Sequence, residues 1–277
     1  MKGLKALPFL AALIGVLAST QAWAAGRSEP WQIWLQEPMS ATAERVYSFN
    51  LLLFWIEFAI VVFVMVLMAI IILRFNAKKN PVPSKTTHNT LLEVVWTAVP
   101  ILILAAIGYP SLKNLYFADH TEAAEMTLKV TGHQWYWSYN YPDHGDFEYD
   151  SLLVPAEDLE EGQPRLLTVD EKVVLPVDTN VRLLLTSTDV IHNWAVPSLG
   201  LKLDTTPGRT NETWVRINQP GTYYGQCSEL CGVNHGFMPI QIEAVSKDDF
   251  KAWVEQAKEQ YAKRDDGVLT AKAAPVR

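Results

Sequence analysis

Two long apolar runs stand out in the first part of the chain. The run 51–73 contains a single charged side chain, Glu57, and the run 91–109 carries Glu93 near its start and Pro100 inside. A helix rises 1.5 Å per residue, so the first run would be about 34 Å long, enough to cross roughly 30 Å of hydrocarbon. The pattern therefore predicts a hairpin of two transmembrane helices.

A shorter apolar stretch, 7–18, lies close to the N-terminus. It follows Lys2 and Lys5, and small residues at 22–24 offer a cleavage point. This is the pattern of a secretory signal peptide, here over residues 1–24, with an uncleaved membrane anchor as the alternative. Cleavage would place the new N-terminus outside the cytoplasm, in an oxidising compartment.

Beyond residue 119 the pattern changes to short β-type stretches separated by turn-forming residues. Many short strands of this kind are typical of a β-sandwich or β-barrel. The predicted strands are 126–130, 165–169, 172–177, 181–187, 212–217 and 239–245. Ser246 with Asp249 three residues later fits a helix capping box. Apolar side chains at helical spacing then predict a C-terminal helix that docks on the barrel through Phe250, Trp253, Ala257 and Tyr261.

The distribution of charged residues predicts the orientation of the hairpin in the membrane and the kind of partner that the chain binds. The loop between the apolar runs carries Arg74, Lys78, Lys79 and Lys85 and no acidic residue, so the positive-inside rule places it in the cytoplasm. Both ends of the hairpin then face outward, in agreement with the signal peptide. From Asp119 onward there are 25 acidic and 14 basic side chains, a net charge of −11. This charge disfavours nucleic acid as a partner and favours a basic protein.

The segment CSELCGVNHGFM, 227–238, holds both cysteines of the chain, with His235 and Met238 close behind them. A disulfide between Cys227 and Cys231 suits the compartment but leaves the spacing of His235 and Met238 unexplained. Zinc binds cysteine and histidine but has little use for a thioether. Copper accepts thiolate, imidazole and thioether together. A single blue-copper site uses one cysteine, so the second thiolate favours two copper ions bridged by two sulfurs, with His192 as the best further ligand.

Several motifs together resemble subunit II of the haem-copper cytochrome c oxidases. They are HNWAVPSLGLK at 192–202, PGR at 207–209, YYGQCSELCGVNHGFMP at 223–239, GHQWYWSY at 132–139 and EVVWTAVP at 93–100. The resemblance runs from about residue 45 to 260, and it is closer to a bacterial than to a mitochondrial version. It implies a cupredoxin Greek-key β-barrel, anchored by the transmembrane hairpin, that holds a binuclear copper centre called CuA.

The resemblance also implies a role for individual residues. Cys227 and Cys231 would bridge the two copper ions, and His192 and His235 would each bind one of them. Met238 and the backbone carbonyl of Glu229 would be weak ligands, while the Glu229 carboxylate would bind a magnesium or manganese ion shared with subunit I.

Other residues would serve the paths of electrons and protons. By the same resemblance, Trp135 lies exposed near the cytochrome c docking face, where we expect electrons to enter, and Glu93 marks the mouth of a proton path into subunit I. Acidic residues that would attract a basic cytochrome c are Asp146, Glu148, Asp170 and Asp189.

The sequence is therefore interpreted as the copper-bearing subunit 2 of a proton-pumping respiratory cytochrome c oxidase. The expected organisation is a signal peptide at 1–24, an N-terminal segment with the hairpin at 25–118, and a periplasmic copper domain with a C-terminal helix and tail at 119–277. Expected partners are subunit I with its haems, subunit III, cytochrome c and the lipid of the bacterial inner membrane. No catalytic residue is expected on this chain, because the chemistry belongs to the metal.

Three other functions remain as alternatives. A copper carrier or assembly factor would leave the hairpin, Glu93 and the tryptophan run without a role. A nitrous-oxide reductase would lack the hairpin and carry a large additional domain. A quinol oxidase subunit II would share the fold, but the pair Cys227 and Cys231 argues against it.

Overall fold

The computed structural model describes residues 26–120 and 123–261. The predicted signal peptide and the tail after residue 261 lie outside this part of the chain. Two helices, α1 (Ala41–Arg74) and α2 (Thr90–Asp119), are long and apolar enough to cross a membrane. They form the predicted hairpin but extend beyond the predicted limits of 51–73 and 91–109. At 1.5 Å per residue α1 is about 51 Å long, more than the roughly 30 Å of hydrocarbon that a membrane span has to cross.

Polar caps explain where these helices begin. The Ser40 hydroxyl accepts a hydrogen bond from the Ala43 amide, and the Asn89 side chain accepts one from the Leu92 amide. Each cap satisfies an amide that has no partner within its own helix. The apolar runs therefore mark the middle of each helix, whereas the caps set the true starts.

Within residues 123–261, ten strands form the domain that follows the two helices. They are β1 (Met126–His133), β2 (Tyr136–Tyr141), β3 (Phe147–Ser151), β4 (Val173–Pro176), β5 (Val181–Ser187), β6 (His192–Val196), β7 (Leu201–Thr205), β8 (Asn211–Val215), β9 (Gly221–Cys227) and β10 (Pro239–Val245). One sheet has the order β3-β2-β1-β5-β8 and the other β4-β10-β9-β6-β7. Pairs β1–β5 and β4–β10 are parallel, and the remaining pairs are antiparallel. The predicted membrane-anchored all-β class is confirmed.

The core lies between the two sheets. Strands such as β5 alternate buried and partly exposed side chains, as expected when one face of a sheet is covered. Aromatic side chains contribute the largest fully buried volumes, namely Trp137, Trp194, Tyr139, Tyr141 and Tyr223. Their burial supplies much of the apolar area that stabilises a domain of this size.

The C-terminal helix α3 (Lys247–Gln260) is confirmed, with Ser246 as its cap. The Ser246 hydroxyl accepts from the Asp249 amide at 3.1 Å, as the capping-box pattern predicts. Phe250 and Ala257 are buried against the barrel, together with Val254, which the predicted face did not include. Trp253 and Tyr261 pack on the same core from its edge.

The predicted strand at 165–169 is wrong. The chain turns there instead, because the Leu167 amide and the Thr168 hydroxyl both bond back to the Pro164 carbonyl. Leu166 has a φ of 64°, a left-handed conformation that interrupts an extended strand. Val169 alone reaches an isolated bridge, opposite Leu153.

The barrel is joined to the outer ends of both transmembrane helices. The Trp214 indole in β8 donates to the Phe117 carbonyl near the end of α2 at 3.2 Å. The Arg45 guanidinium of α1 lies 3.8 Å from the Phe117 ring centroid, a cation–π contact. The Asn218 side chain donates to the Glu44 carboxylate at 3.0 Å. These contacts fix the barrel directly above the hairpin.

Close packing of β6 against β9 gives a stability prediction. A Cβ added to Gly225 would lie 2.0 Å from the Ala195 carbonyl oxygen, so Gly225→Ala must push the two strands apart. We expect a loss of about 1–3 kcal/mol in the free energy of unfolding, the usual cost of overpacking. Thermal unfolding of the full chain, followed by near-UV circular dichroism, measures it.

Gly236→Ala is the matched control, since a Cβ there meets nothing within 4 Å. Equal melting temperatures for the two variants would contradict this account of the β6–β9 contact.

Candidate metal centre

Two neighbouring strands bring distant ligands together. Strand β6 begins at His192 and β9 ends at Cys227, and the two strands pair through Trp194 opposite Cys227. This register places the His192 Nδ1 atom 4.0 Å from the Cys227 Sγ atom, although the residues are 35 positions apart in the chain. His192 is fully buried, and its ring packs edge-on against Trp137.

The loop after β9 supplies the remaining donors. The Cys231 Sγ atom lies 3.8 Å from the Cys227 Sγ atom, 3.5 Å from the His235 Nδ1 atom and 3.6 Å from the Met238 Sδ atom. The Glu229 carbonyl oxygen is 3.3 Å from the Cys227 sulfur. The structure thus brings together every residue predicted to bind copper. Both thiols are free, so the disulfide alternative is not formed.

The donor set suits a soft metal ion. The donor atoms of His192, Cys227 and Cys231 lie within 4.8 Å of one another, and all three residues are buried. Thiolate, imidazole and thioether on one site match the preferences of copper more closely than those of magnesium or calcium. Burial keeps water from competing for the metal, so these residues fit a copper centre.

The two thiols differ in acidity because they share one buried site. Burial opposes ionisation of Cys227, but hydrogen bonds from His192 and from the backbone lower the pKa of its thiol to about 7. Burial and the negative charge on Cys227 raise the pKa of Cys231 to about 12. Without a metal, the pair therefore releases its first proton more readily than a free thiol does and its second less readily. A bound cation would favour release of both.

Asp189 holds His192 from the side away from the sulfurs. Its carboxylate accepts from the His192 Nε2 atom at 2.8 Å, and from the backbone amides of Val190 and Gln134. Burial opposes its charge, yet the His192 hydrogen bond and the two amides keep the pKa of Asp189 below its usual value. With Nε2 bonded to the carboxylate, Nδ1 is the nitrogen that faces the sulfurs. This orienting contact was not predicted; Asp189 was singled out only for docking.

Residues just before and at the start of β2 hold the loop through hydrogen bonds to its carbonyl groups. The Gln134 side chain and the Trp135 indole both donate to the Cys231 carbonyl, at 2.8 and 3.2 Å. The Trp137 indole donates to the Met238 carbonyl at 3.1 Å. Gly232, with a φ of 122°, leaves room for Trp135, since a Cβ there would lie 2.9 Å from its ring. Trp135 is half-buried rather than freely exposed, and it contacts the backbone of a predicted copper ligand.

The predicted docking acids do not form one group. Glu148 faces outward from β3. Burial lowers the pKa of the nearby His133 imidazole, and the charges of Asp150, Asp189 and Glu148 offset part of that lowering. Asp150, which was not predicted, belongs to the same group and accepts from the Ser138 hydroxyl at 2.6 Å.

Two other docking acids occupy different settings. Asp146 directly precedes β3 and accepts a hydrogen bond from Asn140, the residue paired with Glu148. Asp170 accepts from the Leu152 and Glu171 amides, and burial raises the pKa of its carboxyl. Of the predicted docking acids, Glu148 and Asp189 therefore lie near His133, together with Asp150.

Glu93 lies far from the metal ligands, in the first turn of α2. Its side chain is exposed, and its amide bonds back to the Asn89 carbonyl as part of the helix start. A carboxylate in the first turn of a helix is also favoured by the helix dipole. The position agrees with the predicted membrane surface, on the side opposite the barrel.

Comparison with known families decides what the chain is. The model for the periplasmic domain of cytochrome c oxidase subunit II matches residues 126–245, and the model for its transmembrane domain matches residues 28–114. The chain belongs to the cytochrome c oxidase subunit II family. It is thus a subunit of a respiratory terminal oxidase, which excludes a separate copper carrier.

Relatives of this subunit II occur in bacteria and in eukaryotes. A probable cytochrome c oxidase subunit 2 from Rickettsia bellii is 48% identical over 259 residues, covering 94% of this chain and 96% of that protein. The Phytophthora megasperma subunit 2 is 45% identical over 232 residues, covering 82% of this chain and 87% of that protein. The crystal structure of the periplasmic domain of subunit II from Bradyrhizobium japonicum is 50% identical, with 52% of this chain and 100% of that one covered and a TM-score of 0.49.

The Asp189–His192 hydrogen bond generates a prediction for this subunit II. Asp189→Asn keeps the size of the side chain but removes the charge that orients the imidazole. Loss of such a supporting contact usually lowers metal affinity about 10–100-fold, and we expect a change of that order in copper affinity, measured by competition with a chelator. Asp204→Asn is the control, since Asp204 accepts from the Asn193 side chain rather than from a predicted ligand. Equal copper affinity in both variants would show that Asp189 does not orient His192.

Proposed function

We propose that this subunit II holds the binuclear copper centre CuA, accepts electrons there from cytochrome c, and passes them to haem in subunit I. Oxygen is reduced in subunit I, and proton pumping is coupled to that reduction. The observation that carries the proposal is the convergence of two free thiols, two imidazoles and a thioether at the end of β9. Family membership supports the same function.

Each ligand has a proposed position in the centre. Cys227 and Cys231 would be the ligands shared by both copper ions, which agrees with their central place among the other donors. His192 and His235 would each bind one copper, since His192 lies beside the Cys227 sulfur and His235 beside the Cys231 sulfur. Met238 and the Glu229 carbonyl act as weak ligands, each lying beside a different cysteine sulfur.

The main contribution of the chain is to hold the copper ligands in fixed positions, while the redox chemistry belongs to the metal. When bound, a thiolate-bridged copper pair supplies a one-electron redox couple whose charge change is spread over two metals. The protein holds the sulfurs through β9, and it holds the loop through the indoles of Trp135 and Trp137. Fixed ligands move little when the charge changes, which lowers the barrier to electron transfer.

Trp135 is proposed as the point where electrons enter. Its indole donates directly to the carbonyl of Cys231, so a short route joins the half-buried ring to a copper ligand. Glu148, Asp150 and Asp189 lie around the neighbouring His133 and give this face a negative charge that attracts a basic cytochrome c. Asp146 and Asp170 are kept as more distant docking acids.

Further proposals concern the membrane and the other subunits. The exposed Glu229 carboxylate binds a magnesium or manganese ion shared with subunit I. The chain crosses the bacterial inner membrane twice, with residues 119–277 and both termini on the periplasmic side. Subunit III is a further partner, and nucleic acid is not.

The copper content tests the central proposal. The purified oxidase is expected to contain two copper ions per copy of this chain, with one unpaired electron shared between them in the electron spin resonance spectrum. In Cys231→Ser the hydroxyl replaces a thiolate that soft copper prefers, so the shared spectrum is lost.

Ser228→Ala is the matched control, because Ser228 is exposed and lies beside Cys227 without being a predicted ligand. A two-copper spectrum that survives in Cys231→Ser would refute the bridging role.

Electron transfer from reduced cytochrome c tests Trp135. Trp135→Phe removes the indole N–H that bonds to Cys231, so the first electron step in stopped-flow experiments slows while the copper spectrum stays unchanged. Trp253→Phe, at the far edge of the core, leaves the rate unchanged. The second-order rate also falls as salt is added, because screening weakens the attraction between acidic and basic surfaces. A normal electron-transfer rate in Trp135→Phe would rule out this route.

Proton uptake tests Glu93. Glu93→Ala slows proton uptake by the oxidase in vesicles and leaves the copper spectrum intact, because the residue lies at the other end of α2 from the barrel. Glu57→Ala serves as a control with no expected role in proton entrance. Unchanged proton uptake in Glu93→Ala would show that Glu93 has no role in proton entrance and is only a solvated acidic residue at the start of a helix.

A further inference from the structure

A loop before α1 carries two almost fully exposed apolar side chains. We name residues 27–39 the N-terminal loop. Trp31 and Ile33 are each 97% exposed, and Leu35 follows them at alternating positions. Trp31 has a φ of 66°, a left-handed conformation that is unfavourable for a side chain of this size. Strain at an exposed tryptophan points to a function for its placement.

The N-terminal loop is an ordered structure. The Gln32 side chain accepts from the Glu29 amide and donates to the Leu35 carbonyl, and the Gln36 side chain donates to the Ser28 hydroxyl. These hydrogen bonds hold the loop in one conformation. Trp31 and Ile33 form the apolar tip of the loop, and these hydrogen bonds keep the tip directed outward.

Both ends of the N-terminal loop are fastened to the barrel. The Tyr224 amide donates to the Gly26 carbonyl at 2.8 Å. Met39 bonds through its amide to Ser198 and through its carbonyl to Asn218. The tip between these ends is directed away from the barrel, because Trp34 packs beside Tyr47 and Phe54 of α1.

Contacts of Trp34 give the depth of the tip. On α1, residues 41–50 include charged and polar side chains, and the continuous apolar surface begins at Leu51. The Trp34 ring lies 5.2 Å from the Phe54 ring, three residues inside that boundary. At 1.5 Å per residue this is about 5 Å along the helix, within the layer roughly 5–10 Å deep where headgroups meet acyl chains.

Aromatic residues on both helices mark the same layer. Trp55 and Phe58 continue the ring contacts of Phe54 on α1, and Tyr109 and Tyr116 are exposed near the outer end of α2. Tryptophan and tyrosine are enriched where a membrane protein meets the interface. The tip of the N-terminal loop extends this belt beyond the helices.

We propose that Trp31 and Ile33 insert into the headgroup–acyl boundary of the outer leaflet. Since the N-terminal loop is bonded to the barrel at both ends, this insertion sets the height of the barrel above the membrane. The occupant of the exposed apolar surface is lipid. The proposal rests on the two-span arrangement proposed above.

Spin labelling of the assembled oxidase in phosphatidylcholine nanodiscs tests the proposal. Nitroxides are attached to Ile33→Cys and, in a separate protein, to Trp31→Cys. A label at Lys129→Cys, which is exposed on β1 of the barrel, is the control for a position that faces water. Power saturation compares collisions with oxygen, which concentrates in lipid, and with a water-soluble nickel chelate. At the tip we expect several-fold higher oxygen accessibility and several-fold lower nickel accessibility than at the control.

Two other outcomes overturn the insertion. Nickel accessibility equal to that of the Lys129 control places the tip in water. Low accessibility to both reagents places it against another protein subunit. A label at Phe63→Cys, in the middle of α1, tests separately whether α1 spans the membrane, because nickel reaches that position only if it does not. Low nickel accessibility at Phe63 with high nickel accessibility at the tip would therefore contradict the insertion of the tip alone. The electron spin resonance signal of copper, recorded on the same proteins, reports independently on the proposed function.

Discussion

The pairing of β6 with β9 is the contact on which the metal centre depends. It sets Trp194 opposite Cys227 and so brings the first residue of β6, His192, next to the last residue of β9. Gly225 permits this approach, since any side chain there would strike the Ala195 carbonyl. The remaining ligands follow on a single short loop whose carbonyls are held by two indoles from the other sheet. A buried site is thus assembled from rigid strand ends and one restrained loop.

The helices, several strands and the ligands could be predicted from the sequence. The membrane helices are visible because lipid requires long apolar runs, and the ligands because thiolate, imidazole and thioether at close spacing are rare. Strands with alternating burial, such as β5, were predicted closely. The helix limits were less accurate, since caps such as Ser40 and Asn89 lie outside the apolar runs.

The features that were missed depend on tertiary contacts. Every residue of β6 is buried, so the strand has no alternation to recognise, and β9 contains two glycines that resemble loop sequence. The strand predicted at 165–169 failed because a left-handed Leu166 turns the chain. Asp189 was recognised as an acid, but its bond to His192 depends on how the loop before β6 folds back. Asp150 could not be recognised from the local sequence, because its position near His133 follows from the β2–β3 register, which pairs it with Ser138.

The contacts between the barrel and the start of α1 have a consequence for biogenesis. Asn218 and Glu44 are hydrogen-bonded although they are 174 positions apart, and the rest of α1 and all of α2 lie between them in the chain. The Ser40 hydroxyl likewise bonds to the Leu199 carbonyl. These contacts form only after the ribosome has delivered residue 218, when both helices have already been synthesised. Attachment of the barrel to α1 is therefore a late step in the synthesis of the chain, and the loop at 227–238 is made later still.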